Sequence, residues 1–94
     1  MKLLSITESP KPDKKLMAVF ENEGRKKTVH FGAAGMDDLT ITKDFEAQKR
    51  YLARHAKREN WNNPTTAGAL SRWILWNKTS KSAAIADFKR RFDL

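Results

Sequence analysis

The side chains able to do chemistry in this sequence are mainly cations, with two histidines, ten per cent aromatics and no cysteine. Without thiols there are no disulfides, thiolate metal sites or cysteine nucleophiles, and a reducing compartment fits. Arg50, Arg54, Lys57 and Arg58 follow one another at steps of four, three and one. At about 100° per residue, those steps gather the four on one helix side, within an arc of about 100°. Cations held on one face meet phosphates by displacing counterions, and arginine adds a forked donor. Arg72, Lys78, Lys89, Arg90 and Arg91 are possible extensions of that face. Tyr51 and Trp61, beside it in sequence, are the candidates for stacking on an unpaired base. Trp73 and Trp76 are assigned to the core instead, because folded interiors use far more aromatics than stacking sites do.

The charge distribution supports this chemistry. Residues 1–47 hold eight Lys/Arg and eight Asp/Glu, while residues 48–94 hold eleven against three, so the second half supplies the whole net charge of +8. A basic half beside a neutral one suits a polyanion, with an anionic membrane face a weaker fit and plain solubility the simplest account. The nucleic-acid reading requires the second-half cations to gather into one continuous strip.

Enzymatic constellations are thinner. His30 on a strand and His55 on a helix, followed by Asn60, Asn62 and Asn63, superficially suggest a ββα-metal nuclease. The spacing is not diagnostic: His55 is expected at the edge of the core stripe and His30 paired across a hairpin. Asp37 and Asp38 are adjacent and point apart on an extended chain, and no nucleophile elbow is present. Gly32-Ala-Ala-Gly35 matches neither a P-loop nor a dinucleotide fingerprint and reads as a plain connection. The expectation is therefore no enzyme, no cofactor and no metal. No helix-turn-helix, zinc-finger or RNA-recognition signature appears, so binding is expected to follow the phosphate backbone with weak sequence selectivity, DNA ahead of RNA.

The elements that must position these groups read as α+β. Leu4 and Ile6 alternate with Ser5 and Thr7, giving a strand over about 2–7 that the proline-bearing segment 8–13 ends. An apolar run at 15–20, a turn around Gly24 and an alternating segment ending in Val29 and Phe31 form a hairpin of about 14–21 and 26–32. Three helices follow within about 43–92. The first runs from a Thr42 cap to about Arg58, with Phe45, Leu52 and Ala56 as its buried stripe. The second, about 65–77, has Pro64 in its first turn and carries Leu70, Trp73 and Ile74. The third, about 82–92, is capped by Ser80 or Ser82 and buries Ile85, Phe88 and Phe92. At 94 residues and 10.8 kDa, the chain reads as one domain with one modest core. No apolar run approaches the ~18 residues of a membrane span, and MKLLSITESP lacks a secretory apolar region, so a membrane span and secretion are not expected.

The runs 51–64 (YLARHAKRENWNNP), 66–77 (TAGALSRWILWN) and 85–92 (IADFKRRF), with Phe31-Gly32 and the 38–42 stretch, carry a resemblance. Over about residues 28–94 the sequence resembles a group of uncharacterised small basic proteins encoded by large double-stranded DNA viruses of algae and protists. The resemblance implies a viral protein acting in infected cells, genome- or virion-associated, and implies no activity or catalytic residues. A non-enzymatic adaptor bridging viral core or capsid proteins is the rival reading, with the Trp61 region and the apolar helices as its anchors, since Trp and Arg serve protein interfaces equally.

Overall fold

The computed structural model describes residues 1–94. Its N-terminal half is an antiparallel sheet in the order β1-β2-β3: β1 Lys2–Glu8, β2 Lys14–Asn22 and β3 Arg25–Ala33. The β2–β3 hairpin closes on two residues, with Asn22 opposite Arg25. Glu23 and Gly24 both take positive φ, at 53° and 80°, which is the primed turn whose twist matches that of its strands. In β2, Leu16, Ala18 and Phe20 are buried, and Phe31 joins them from β3.

The first strand departs from simple alternation. Its register slips between Leu3 and Ser5, so Leu3 faces Phe20 while Ile6 faces Ala18. The bulge turns both Leu3 and Ile6 onto the core and leaves Leu4 45% exposed. The expected pairing of Leu4 with Ile6 on one face is thereby corrected, because one inserted residue inverts the period-two pattern.

The crossing after β3 contains a helical turn absent from the sequence reading, α1 Leu39–Thr42. Asp38 caps it, accepting from the Thr40 N–H at 2.9 Å and from the Thr40 hydroxyl. The second Asp38 oxygen lies 2.6 Å from Lys15 Nζ on β2, and Asp38 is 2% exposed. A buried carboxylate with both oxygens engaged ties the crossing to the sheet.

α2, Phe45–His55, begins later and ends earlier than expected. Its cap is Asp44, accepting from Glu46 and Ala47 N–H, while the Thr42 hydroxyl accepts from Asp44 N–H. The expected stripe of Phe45, Leu52 and Ala56 is also corrected: Phe45 is 55% exposed and Ala56 is exposed, and Tyr51 is the helix's buried residue. α2 is held by polar and aromatic links instead. Gln48 Nε2 donates to the Trp76 carbonyl at 2.9 Å, and Tyr51 stacks on Trp76.

α3, Ala67–Leu70, is capped by Thr66, and Pro64 lies ahead of it rather than in its first turn. It runs directly into a π-helical segment, Ser71–Leu75, in which Trp76 N–H reaches back to Ser71. α4, Lys81–Arg91, has Ser80 as its cap. Leu70, Ile74, Leu75 and Phe88 close the core against the sheet. Gly32, at φ 79°, is the point of closest approach: a Cβ there would sit 2.7 Å from Leu75 Cδ1. No helix is long and apolar enough to cross a membrane.

Candidate nucleic-acid interface

α2 and the turn after it carry Arg50, Arg54, Lys57 and Arg58. Arg50 and Arg54 are one helical turn apart, about 6 Å along the axis at 1.5 Å per residue. Arg58 N–H bonds the His55 carbonyl, so the turn continues the helix path and keeps Lys57 and Arg58 close to its end. All four are exposed and none takes part in a salt bridge. Two acids on or just after the same helix have other partners. Glu46 lies 3.4 Å from Lys49 in an exposed pair, and Glu59 accepts from His55 Nδ1 at 2.8 Å and from Trp61 Nε1 at 2.7 Å. Gly68 leaves room for that carboxylate, since a Cβ there would meet Glu59 at 2.8 Å.

The remaining cations do not continue the α2 face. Arg72 is half-buried between indoles, with its guanidinium carbon 5.4 Å from the Trp61 ring centre and 4.2 Å from that of Trp73. Arg91 lies 3.9 Å from the Trp73 ring centre. Two guanidinium groups this close to one ring need opposite faces, so Trp61, Arg72, Trp73 and Arg91 alternate as a ladder of aromatic and cation. Burial, with Arg91 beside it, pulls the Arg72 guanidinium below its ordinary pKa, and its Nε has no partner. Arg72 is a structural cation and not an extension of a phosphate-binding strip.

Arg90 and Arg91 each lie 3.3 Å from Asp87, which also accepts from Asn77 Nδ2 at 2.7 Å. The Asn77 hydrogen bond, the largest effect, holds the Asp87 carboxyl below its ordinary value against the opposing effect of burial, with the charges of Arg91 and Lys78 adding to it. Lys78, Arg90 and Arg91 therefore gather around an acid on α4, while Lys89 is exposed on the same helix without an ion pair. The continuous strip that the nine-cation reading requires is therefore absent. The cations resolve into the α2 group, the indole ladder and the Asp87 cluster, and the α2 group alone remains a candidate phosphate site.

Of the two stacking candidates, Tyr51 is 8% exposed and sandwiched. His55 stacks on it at 4.2 Å between ring centres and Trp76 at 4.5 Å, both nearly parallel, so they cover opposite faces. No base can stack on Tyr51. Trp61 is half-buried, its N–H taken by Glu59 and its carbonyl accepting from Trp73 Nε1 at 2.9 Å. Trp73 and Trp76, assigned to the core, pack at its margin. His30 is held by Ser9 Oγ at 2.7 Å, far along the chain from His55 and its carboxylate. No group of three or more His, Cys, Asp or Glu is arranged to hold a metal ion.

Sequence reasoning passed over the first-half cations. Lys14 is half-buried with no partner, although residues 1–47 sum to zero charge. A signal was present: several first-half acids precede helices or turns, where caps consume them, as Asp38 and Asp44 show.

No curated protein matches the chain, and no solved structure does. Residues 4–55, which span the sheet, α1, α2 and the first two cations of its exposed face, match the family of unknown function DUF5754, and the chain belongs to that family.

Proposed function

We propose that this is a non-enzymatic, nucleic-acid-associated protein that holds a phosphate backbone on the exposed side of α2 and its following turn. Selectivity for sequence is weak, and DNA is taken ahead of RNA. One observation carries the reading: Arg50, Arg54, Lys57 and Arg58 are exposed and none of them is in a salt bridge. Free cations spread over about two helical turns release counterions on meeting phosphates, which gives affinity without base contacts. In this reading the polyanion is the genome of a large double-stranded DNA virus and the setting is the infected cell, both following from the sequence resemblance alone. The adaptor reading draws less support, because its chosen anchor, Trp61, is bonded to Glu59 and covered by Arg72.

Binding to labelled duplex and single-stranded DNA across a salt series tests the reading. Affinity that falls linearly with salt on logarithmic axes is expected. Absence of binding at low salt, or binding indifferent to salt, removes the phosphate mechanism.

A further inference from the structure

Where the loop 36–38, the second half of α2 and the α3–π-helical segment meet the end of the sheet, they line a cleft of about 360 Å³. Much of its polar lining is already satisfied: Asp38 by Lys15 and Thr40, Glu59 by His55 and Trp61. Several donors are not. The hydroxyls of Tyr51 and Ser71, the Lys14 ammonium and the Arg54 guanidinium all line the cleft and have no partner within the protein. The Tyr51 ring is buried while its hydroxyl, without a partner in the protein, stays open to the cleft. With both ring faces covered, it presents only its edge and hydroxyl to the cavity. Leu75 and Trp76 supply an apolar wall, and Asp37 is the one lining carboxylate without a partner.

We propose that this cleft takes a single unpaired nucleotide, its base against the Trp76 and Leu75 wall and its phosphate on Arg54 and Lys14. The Tyr51 and Ser71 hydroxyls donate to acceptors on the base edge. The inference rests on the α2 reading through Arg54, which belongs both to the exposed face of that helix and to the cleft. A strand lying on Arg50 and Lys57 passes the opening and can place one base inside. A duplex cannot do so without extruding a paired base, which costs a few kcal/mol.

The test is a set of titrations of the ¹⁵N-labelled full chain, followed by NMR, with an eight-residue oligothymidylate, with thymidine monophosphate and with a duplex. The oligothymidylate is expected to shift the Trp76 indole and Ser71 amide together with α2, whereas the duplex shifts α2 alone. Tyr51→Phe keeps the ring and its stacking, and should weaken oligothymidylate binding about 3- to 10-fold, the worth of one hydrogen bond. If monophosphate shifts the cleft as strongly as the oligomer, and still does so in the Arg50→Gln/Lys57→Gln variant, the occupant is a free nucleotide and the strand reading ends. If the cleft resonances stay silent to all three, or respond identically to oligomer and duplex, the inference is overturned. Duplex-induced shifts at Arg50 and Lys57 would then leave the α2 reading standing.

Discussion

Replacing Arg50, Arg54 and Lys57 together by glutamine separates charge from structure most cleanly. The three side chains are exposed and unpaired, so their removal breaks no salt bridge. Arg50 and Arg54 are like charges one turn apart, a spacing that costs an isolated helix about 0.2–0.5 kcal/mol, so the melting temperature should stay level or rise slightly. Four phosphate contacts on a duplex give a slope of about −3.6 for log affinity against log salt, or roughly 150-fold between 50 and 200 mM. With Arg58 alone remaining, the slope falls to about −0.9 and the loss over that range to about 3- to 4-fold. Fluorescence anisotropy with a labelled duplex at four salt concentrations measures both slopes, and circular dichroism follows folding. An unchanged slope in the triple variant would refute the assignment of phosphate contacts to α2. A melting temperature lowered by many degrees would refute the claim that these side chains are structurally idle.

Three further expectations follow from the buried polar groups. Burial first, and then the Glu59 charge, push the hydroxyl of Tyr51, the chain's one tyrosine, up to about 12. Its folded pKa exceeds its unfolded one, so its contribution to stability is complete below pH ~10 and lost as pH rises towards 12. Phenolate absorbance should therefore titrate far above 10, and a midpoint at 10 would contradict the sandwich. Asp87 is shifted the other way, so its contribution is present above its ordinary carboxylate pKa and lost as pH falls through the lower folded value. Asp87→Asn should accordingly flatten the acid limb of thermal melts recorded between pH 2 and 5. Asp38→Ala strands the Lys15 ammonium and uncaps α1, which should cost about 3 kcal/mol in urea unfolding, whereas a loss below about 1 kcal/mol would mean the buried pair is idle.

The sheet and the last helix were legible in the sequence because their signals are local. Alternation in 26–31 and a glycine at 24 specify a hairpin, and Ser80 ahead of a three- and four-residue apolar rhythm specifies α4. The bulge at Leu4 was not legible, since a single-residue slip carries no compositional mark and both Leu3 and Leu4 are apolar. α2 misled for a different reason. Its sequence offers a weak apolar stripe, but the helix is anchored by Gln48 and Tyr51, whose partners lie about 25 residues away on the Trp76 segment. The basic face depended only on helical phase, and its four members came out exposed as phase alone would place them. The proposed extensions depended on tertiary placement, and there Arg72 went to the indoles and Arg90 and Arg91 to Asp87.

This manner of anchoring gives α2 a stability separable from that of the core. The core cluster that holds Phe20, Phe31, Ile74 and Phe88 has no member from α2, whereas α2 is tied to the Trp76 segment by the Gln48 amide and the Tyr51 ring stack. Gln48→Ala removes the bond to the Trp76 carbonyl and should cost about 1 kcal/mol. Elements with few apolar contacts open below the global unfolding energy, so the cost should fall on α2 itself. Amide exchange in α2 should quicken about 5-fold while β2 and α4 keep their protection. If α2 is the binding face, the same substitution weakens DNA binding at every salt concentration by one common factor, because an opened helix lowers the competent fraction without removing a cation. The salt slope should stay that of the wild type. Slope and offset thus report different physics: the slope counts phosphates met, and the offset measures how firmly the helix is held. A Gln48→Ala variant that alters the slope but leaves α2 exchange untouched would show that the cations act from somewhere other than this helix.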